Sequence, residues 1–374
     1  MIGKTRLKKA SRIVIKIGSE LLVSAGTGKV NINWLESLAQ DIALLRARGQ
    51  EVILVSSGAI ALGRKYLGLS SRRLQLQEEQ ASAAAGMVRL THAYQDALGS
   101  YNLTLAQVLL TLDDSENRRR YINARNTLET LLRLEAVPLI NENDTVATDE
   151  IRFGDNDRLA ARVAVMITAD ILIILSHVDG LYSSDPNQNP DALHIAEIKG
   201  KITEKTRKMA SNSVSFSGSG GMHTKLEAAH ISLESGTQMV IGNGTESNPI
   251  TRIEKGARCT WFIPNANPRS ARKKWIAGFL NPSGTLIVDS GALAALEKGR
   301  SLLPAGVISV KGEFQRGDAV IIASFDKQEV ARGLVAYSSK DVCKIVGRKT
   351  SEIESILGYR RRGEIVHRDD LALS

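Results

Sequence analysis

Residue types able to do chemistry gather just after one apolar run. Val137-Pro138-Leu139-Ile140 stops abruptly at Asn141-Glu142-Asn143-Asp144, and Gly154-Asp155-Asn156-Asp157 follows shortly afterwards. Apolar residues ending in amides and carboxylates read as a buried strand whose C-terminal end opens into a polar site. Asn and Asp also form turns, and one such pair would be an ordinary loop; two clusters with glycine so close together exceed what a turn needs. Two lysines distant in sequence complete the set. Lys16 lies inside the β-rich run Arg12-Ile13-Val14-Ile15-Lys16-Ile17-Gly18-Ser19, and a lysine in a buried strand either pairs with a carboxylate or faces a ligand. Lys225 closes the stretch Ser217-Gly218-Ser219-Gly220-Gly221-Met222-His223-Thr224-Lys225. A glycine-rich loop opening a helix, with a lysine in its first turn, offers backbone donors, a helix dipole and a mobile cation to a phosphate; a surface loop capping a helix has the same pattern.

Phosphoryl transfer needs such a set. Charge on the moving group must be neutralised, the acceptor positioned in line, and Mg²⁺ held between phosphates. An anionic acceptor raises the need for cations, because donor and acceptor repel. Neither a Gly-x-x-x-x-Gly-Lys-[Ser/Thr] string nor a Gly-x-Gly-x-x-Gly after the first strand occurs, which argues against the P-loop and dinucleotide folds. The histidines are scattered, and no Ser-His-Asp or Cys-His nucleophile set is suggested.

The elements that must position these residues alternate. After the first strand, apolar spacing predicts a helix over 33–48, with Asn33 and Glu36 as a capping-box-like start and Gly49 at its end. Glu51–Ser56 is a second strand running into Ser57-Gly58-Ala59-Ile60, a small-residue turn that opens another helix. A Gln- and Ala-rich helix over 75–99 carries Ala83, Ala84, Ala85 and Gly86, which permit close packing. Strands at 104–110, 137–140 and 171–175 follow, separated by helices at 113–134 and 159–167, and further strands are expected at 238–241 and 259–263. Strands alternating with helices imply a mostly parallel sheet covered on both faces. The expected architecture is an α/β fold, a three-layer α/β/α sandwich over residues 1–266. A polar, proline-punctuated linker at 267–274 would lead to a small mixed-β domain over 275–374, with strands at 284–289, 306–311, 318–323 and 330–337 and helices at 290–298 and 350–357.

Composition narrows the classes. Hydrophobic content of 43% and charged content of 24% over 374 residues fit two globular domains. No apolar run reaches membrane-span length, no signal-peptide pattern leads the chain, and Cys259 and Cys343 stand far apart; a reduced cytoplasmic setting is expected. The net charge of +9 is matched by Lys4, Arg6, Lys8, Lys9 and Arg12 near the start together with Arg269, Arg272, Lys273 and Lys274. Two short basic segments are not the broad basic face of a nucleic-acid binder. An RNA-binding role through the C-terminal region and Arg360-Arg361-Arg362 is the competing reading from another class.

The sequence resembles the amino acid kinase family nearly end to end. The resemblance is carried by Val14-Ile15-Lys16-Ile17-Gly18-Ser19, Ser56-Ser57-Gly58-Ala59-Ile60, Asn141-Glu142-Asn143-Asp144-Thr145-Val146-Ala147, Gly154-Asp155-Asn156-Asp157, Gly180-Leu181-Tyr182 and Gly220-Gly221-Met222-His223-Thr224-Lys225. Residues 284–292 and 301–307 resemble a PUA domain. The resemblance implies transfer of the ATP γ-phosphate to the side-chain carboxylate of L-glutamate, the first step of proline synthesis. N-acetylglutamate and aspartate are the rival acceptors. It implies that Lys16 and Lys225 stabilise the transferring group and that Asp157 holds them. Ser57, Asp144 and Asn156 would bind glutamate, Asp144 through its ammonium group, with Asn141, Asp155 and Gly58 as neighbours. Gly18 and Gly58 would give backbone donors, and Ser176, His177 and Ser219, Gly220, Gly221, Met222, His223, Thr224 and Lys225 would surround ATP. It implies Mg²⁺ without a protein metal site, a homo-oligomer (dimer or tetramer), feedback inhibition by proline, and channelling to glutamyl phosphate reductase. One departure stands out: Thr/Ser-Asp is expected at the fifth-strand exit, where this chain has Ser176-His177, with Asp179 as the possible substitute.

Overall fold

Short runs rich in Ile, Val and Leu, bounded by glycine or turn residues, become the strands of the larger unit because both faces of each must be covered. The computed structural model describes residues 2–24, 27–69, 74–146, 156–210, 221–278, 282–359 and 362–373. The chain divides into two units, Met1–Pro268 and Arg269–Ser374. The first runs α1 (Ile2–Lys9), β1 (Arg12–Ile17), α2 (Ser19–Leu22), α3 (Ile32–Ala47), β2 (Glu51–Ser56), α4 (Ala59–Tyr66), α5 (Leu76–Gly99) and β3 (Leu105–Leu110). It continues with α6 (Leu112–Glu116), α7 (Arg118–Arg133), β4 (Val137–Glu142), α8 (Asn156–Met166), β5 (Ile171–Ser176), β6 (Leu181–Tyr182), β7 (His194–Ile195) and β8 (Glu197–Lys199). It closes with α9 (Glu204–Ala210), α10 (Met222–Glu234), β9 (Gln238–Asn243), α11 (Pro249–Glu254), β10 (Cys259–Ile263) and α12 (Pro268–Gly278), which crosses the unit boundary.

Among the described residues, eight strands form one sheet in the order β3-β4-β2-β1-β5-β9-β10-β8. Neighbours are parallel except β9 and β10, and β6 pairs with β7 as a separate antiparallel ribbon. One face is covered by Leu35, Leu38 and Ile42 of α3 with Leu90 and Tyr94 of α5. The other is covered by Leu128 of α7, Leu159 and Val163 of α8, and Leu226 of α10. This is the expected three-layer sandwich. Its close packing is sharpest between α4 and α5: a Cβ added at Gly63 would lie 1.7 Å from the Ser82 carbonyl oxygen, and one at Gly86 would lie 1.8 Å from that of Ala59. Only glycine fits at either position, so α4 is fixed against α5 and the turn before it is held over the sheet edge.

Three element boundaries differ from the sequence expectation. The helix over 113–134 is two helices, because Asn117 is extended (ψ 114°) and its side chain accepts from the Arg119 and Arg120 amides to start α7. The helix expected from Asn33 begins one turn position earlier, with Asn31 as its cap accepting from the Trp34 amide. Residues 268–274 of the segment 267–274, read as a linker from its composition, are helical within α12.

The second unit places β11 (Gly284–Val288), β12 (Val307–Lys311), β13 (Ala319–Ala323), β14 (Glu329–Val335) and β15 (Val366–Leu373) in a sheet of order β12-β11-β13-β14-β15. Leu286, Phe314, Val320, Ile322 and Tyr337 fill its core. Short helices α13 (Ser290–Glu297), α14 (Ser339–Ile345) and α15 (Ile353–Leu357) complete it. Strand β15 and helix α14 are absent from the sequence expectation. Arg360 and Arg361 lie outside the described residues, whereas Arg362 turns to the buried Asp370 at 3.6 Å. No described helix is long and apolar enough to cross a membrane.

Candidate active site

In a parallel sheet, successive strands deliver their C-terminal ends to one edge, and ligands bind where the connections diverge. Here that point is β1, which pairs with β2 on one side and β5 on the other, Ile17 lying beside Ser56 and Leu175. Gly18-Ser19, Ser57-Gly58, Asn143-Asp144 and His177 therefore emerge along the same edge. The Ser57 amide donates to the Ile17 carbonyl at 3.1 Å, and the Gly18 amide donates to the Leu175 carbonyl at 3.1 Å. Gly18, expected to offer a backbone donor, thus gives its N–H to the end of β5. Gly58 caps α4 at φ 105°, a conformation that side-chain-bearing residues rarely adopt.

Asp157, in the first turn of α8, is fully buried beneath this edge. Its Oδ1 lies 2.8 Å from Lys16 Nζ of β1, and its Oδ2 lies 3.2 Å from Lys225 Nζ of α10. Thr224 Oγ1 is within 3.1 Å of the same Oδ2. Burial alone would raise the pKa of this carboxyl, but the two ammonium groups overcome it and hold it at about 2. The α8 N-terminus adds a favourable dipole. Two ammonium groups thus meet on one carboxylate, with both lysines almost wholly buried. Buried ion pairs rarely stabilise a fold relative to apolar packing, which favours a functional reason for them.

On the β2–β4 side, Asn156 Nδ2 is 2.7 Å from the Ser56 carbonyl, 3.1 Å from Ser57 Oγ and 3.2 Å from Asn141 Oδ1. Asn141 Oδ1 also accepts from the Glu142 amide at 2.8 Å. The structure thus joins Ser57, Asn141 and Asn156 in one polar cluster adjoining Asp157. Asp144 sits in the turn after β4 and is buried. Burial first, and then the negative charge of Glu79 on α5, push its pKa up to about 6. Asp155 lies outside the described residues.

On the β5 side, a cavity of about 300 Å³ is lined by residues 177–182 and 184–187 at the strand exit and by Met209, Gly221, Met222 and Lys225. Lys225 belongs both to this cavity and to the Asp157 group, so the two are continuous. Ser176 is buried and receives the Val178 amide on its Oγ at 3.4 Å. His223 turns along α10 toward Glu227 at 3.6 Å rather than into the cluster. Ser219 and Gly220 lie outside the described residues.

Two groups here escaped the sequence reading. Glu20 of α2 approaches His177 Nδ1 at 2.6 Å, and the His177 hydrogen bond holds its carboxyl below the usual range despite burial. It stood in the sequence directly after Gly18-Ser19, where a carboxylate beside a strand end could have been noticed. Asp179, by contrast, faces the Tyr182 hydroxyl at 3.0 Å and Arg258 at 3.6 Å. Tyr94 of α5 supports the Ser56-Ser57 turn, its hydroxyl 3.1 Å from Ser56 Oγ; nothing but helical spacing marked it in the sequence.

A parallel sheet with lysines converging on a buried aspartate beside an open cavity defines a phosphotransferase of the amino acid kinase type. The amino acid kinase family model matches residues 11–243, and the chain belongs to that family; the PUA domain model matches residues 284–357. Among curated relatives, the glutamate 5-kinase of Paramagnetospirillum magneticum is 58% identical over 98% of this chain and 99% of its own. The glutamate 5-kinase of Rhodospirillum rubrum is 54% identical over 96% of each chain. Glutamate 5-kinase 1 of Mesorhizobium japonicum is 54% identical over 98% of this chain and 97% of its own. Among solved structures, UMP kinase from Ureaplasma parvum superimposes with a TM-score of 0.45 at 18% identity, over 68% of this chain and 97% of that one.

Proposed function

We propose that this chain transfers the γ-phosphoryl group of ATP to the side-chain carboxylate of L-glutamate, giving γ-glutamyl phosphate and ADP as the first step of proline synthesis. The observation that carries the reading is the buried Lys16–Asp157–Lys225 group, placed between a polar cluster and a cavity. The full-length likeness to glutamate 5-kinases names the acceptor.

The residues divide by what they face. A carboxylate oxygen of glutamate attacks the γ-phosphorus, the bond to the β,γ-bridging oxygen breaks, and ADP leaves with that electron pair. Attacker and phosphoryl group are both anionic, so the barrier is largely repulsion and desolvation. Lys16 and Lys225 offset it, and Asp157 fixes where their ammonium groups stand. Asp144 takes the α-ammonium of glutamate; Ser57, Asn156 and Asn141 hold its polar atoms, with Asp155 and Gly58 beside them. The β5-exit cavity, with Ser176, His177, Met222 and Lys225, takes the nucleotide.

Mg²⁺ belongs to the substrate, MgATP. Among the described residues no three His, Cys, Asp or Glu side chains form a metal-holding group, and the Asp157 carboxylate is committed to two ammonium groups. Oxygen ligands from the phosphates suit this ion better than such a site. The same reading makes the enzyme a cytoplasmic homo-oligomer, dimer or tetramer, inhibited by proline at or over the glutamate position. It also passes its reactive acyl phosphate to glutamyl phosphate reductase.

Incubation with ATP, Mg²⁺ and hydroxylamine tests the reaction. Glutamate should yield glutamyl hydroxamate, and added proline should suppress it. Hydroxamate formed only from aspartate or N-acetylglutamate would overturn the assignment.

A further inference from the structure

We propose that Glu20 is a positioning residue for nucleotide binding: it orients the His177 ring at the cavity wall so that Nε2 meets the phosphate end of a nucleoside triphosphate. The inference rests on the reading of the β5-exit cavity as the nucleotide site, and extends it to a residue on a different element.

The geometry is specific to this chain's pair of side chains. Glu20 is the second residue of α2, the short helix that follows Gly18 at the end of β1. Its Oε1 is 2.6 Å from His177 Nδ1 and 3.4 Å from the His177 backbone nitrogen. A Cβ built on Gly18 would meet the same Oε1 at 3.6 Å, so the carboxylate folds back over the end of β1 and bridges the β1 and β5 exits. His177 lines the cavity that Lys225 also lines. Lys225 is close enough for its charge to favour the ionised Glu20, which places the pair at the lysine-bearing end, where phosphates would lie.

Stability does not explain the pair. The two side chains are 61% and 41% exposed, and exposed ion pairs of this kind contribute little to folding. Orientation does explain it. An exposed imidazole samples several rotamers and two faces, whereas a carboxylate that accepts from Nδ1 fixes the ring and leaves Nε2 as the outward nitrogen. With both ring nitrogens protonated, Nε2–H donates to a phosphate oxygen as a charge-assisted bond.

A double-mutant cycle in the full chain decides the matter. Glu20→Ala, His177→Ala and the double variant are compared by calorimetric titration with the non-hydrolysable ATP analogue AMP-PNP, without glutamate. Each single variant should weaken binding about three- to tenfold, the size of one solvent-accessible charge-assisted hydrogen bond. The double variant should bind no more weakly than His177→Ala, and Glu20→Gln, which keeps an acceptor oxygen, should recover most of the loss. The glutamate KM should stay within about twofold, as expected for a group that does not contact the acceptor. Unchanged binding by Glu20→Ala, or equal losses with and without His177, would overturn the proposal. If the wild-type chain binds AMP-PNP but yields no glutamyl hydroxamate, the acceptor reading fails while the cycle still decides this one. If it binds no AMP-PNP, the cavity assignment fails and this proposal falls with it.

Discussion

Replacing Asp157 by Asn keeps the shape but removes the charge that Lys16 and Lys225 share, and turns one acceptor oxygen into a donor facing an ammonium group. Their Nζ atoms sit 2.8 and 3.2 Å from its two oxygens, and the two lysine side chains are only 8% and 5% exposed. Removing one partner of a buried pair costs about 3–5 kcal/mol. The depressed pKa gives a second scale: a fall from 3.8 to about 2 corresponds to roughly 2 kcal/mol, at about 1.4 kcal/mol per tenfold. It is smaller because burial opposes part of the ion-pair gain. For a unit of this length each kcal/mol lowers the melting temperature by about 2–4 °C, so a drop of roughly 5–15 °C is expected. Turnover should fall about 10²–10³-fold, as when a preorganised charge is withdrawn from a transition state. Thermal unfolding of the full chain and the hydroxamate assay read the two effects separately. Lys225→Met added to Asp157→Asn removes one of the two cations and should restore part of the stability but none of the turnover. An Asp157→Asn chain with unchanged melting and turnover within about threefold of wild type would refute the electrostatic account of this group. Additive destabilisation in the double variant would refute it as well.

Lys16→Ala and Lys225→Ala should each lower turnover about 10²–10³-fold, far beyond what their change in melting accounts for; matched losses in both would make them structural. Asp144→Asn should raise the glutamate KM while leaving the ATP KM nearly unchanged, as steady-state kinetics with each substrate varied will show. Because burial and Glu79 raise Asp144 to about 6, glutamate kcat/KM should decline as pH falls through about 6, and Asp144→Asn should lose that limb of the profile. For stability the sign is opposite. A carboxyl raised in the folded state contributes stability below about pH 3.8 that is lost as pH rises through about 6. Asp144→Asn should therefore melt higher than wild type at pH 8, and a lower melting temperature there would contradict the assignment.

Much of the larger unit was legible because its strands are short apolar runs bounded by glycine or polar residues. Their alternation with helices leaves a parallel sheet as the way to bury both faces. Lys16 was informative for the same reason: a lysine within such a run needs a partner, and the structure supplies Asp157. What escaped had no periodic signal. Strands β6 to β8 are too short to show one, and the break at Asn117 depends on one side chain capping the next helix rather than continuing the last. Strand β15 carries His367-Arg368-Asp369-Asp370, so polar residues mask it, although Asp370 is buried against Arg272 at 2.6 Å. Within the site, the sequence supplied residue types but not distances. Glu20 and His177 are 157 positions apart, and only the pairing of β1 with β5 brings them together. Gly18 shows the converse: a glycine after a strand suggests an available amide, yet the Leu175 carbonyl already takes it.

Transfer of an oxygen label tests the central claim most directly. Glutamate carrying ¹⁸O in its side-chain carboxylate is incubated with ATP, Mg²⁺ and hydroxylamine, and the inorganic phosphate is analysed by mass spectrometry. Attack of that carboxylate on the γ-phosphorus, followed by hydroxylamine attack on the acyl carbon, leaves one glutamate oxygen in each phosphate released. Phosphate bearing a single ¹⁸O is the expected result. Unlabelled phosphate, the product of ATP hydrolysis by water, would contradict the account.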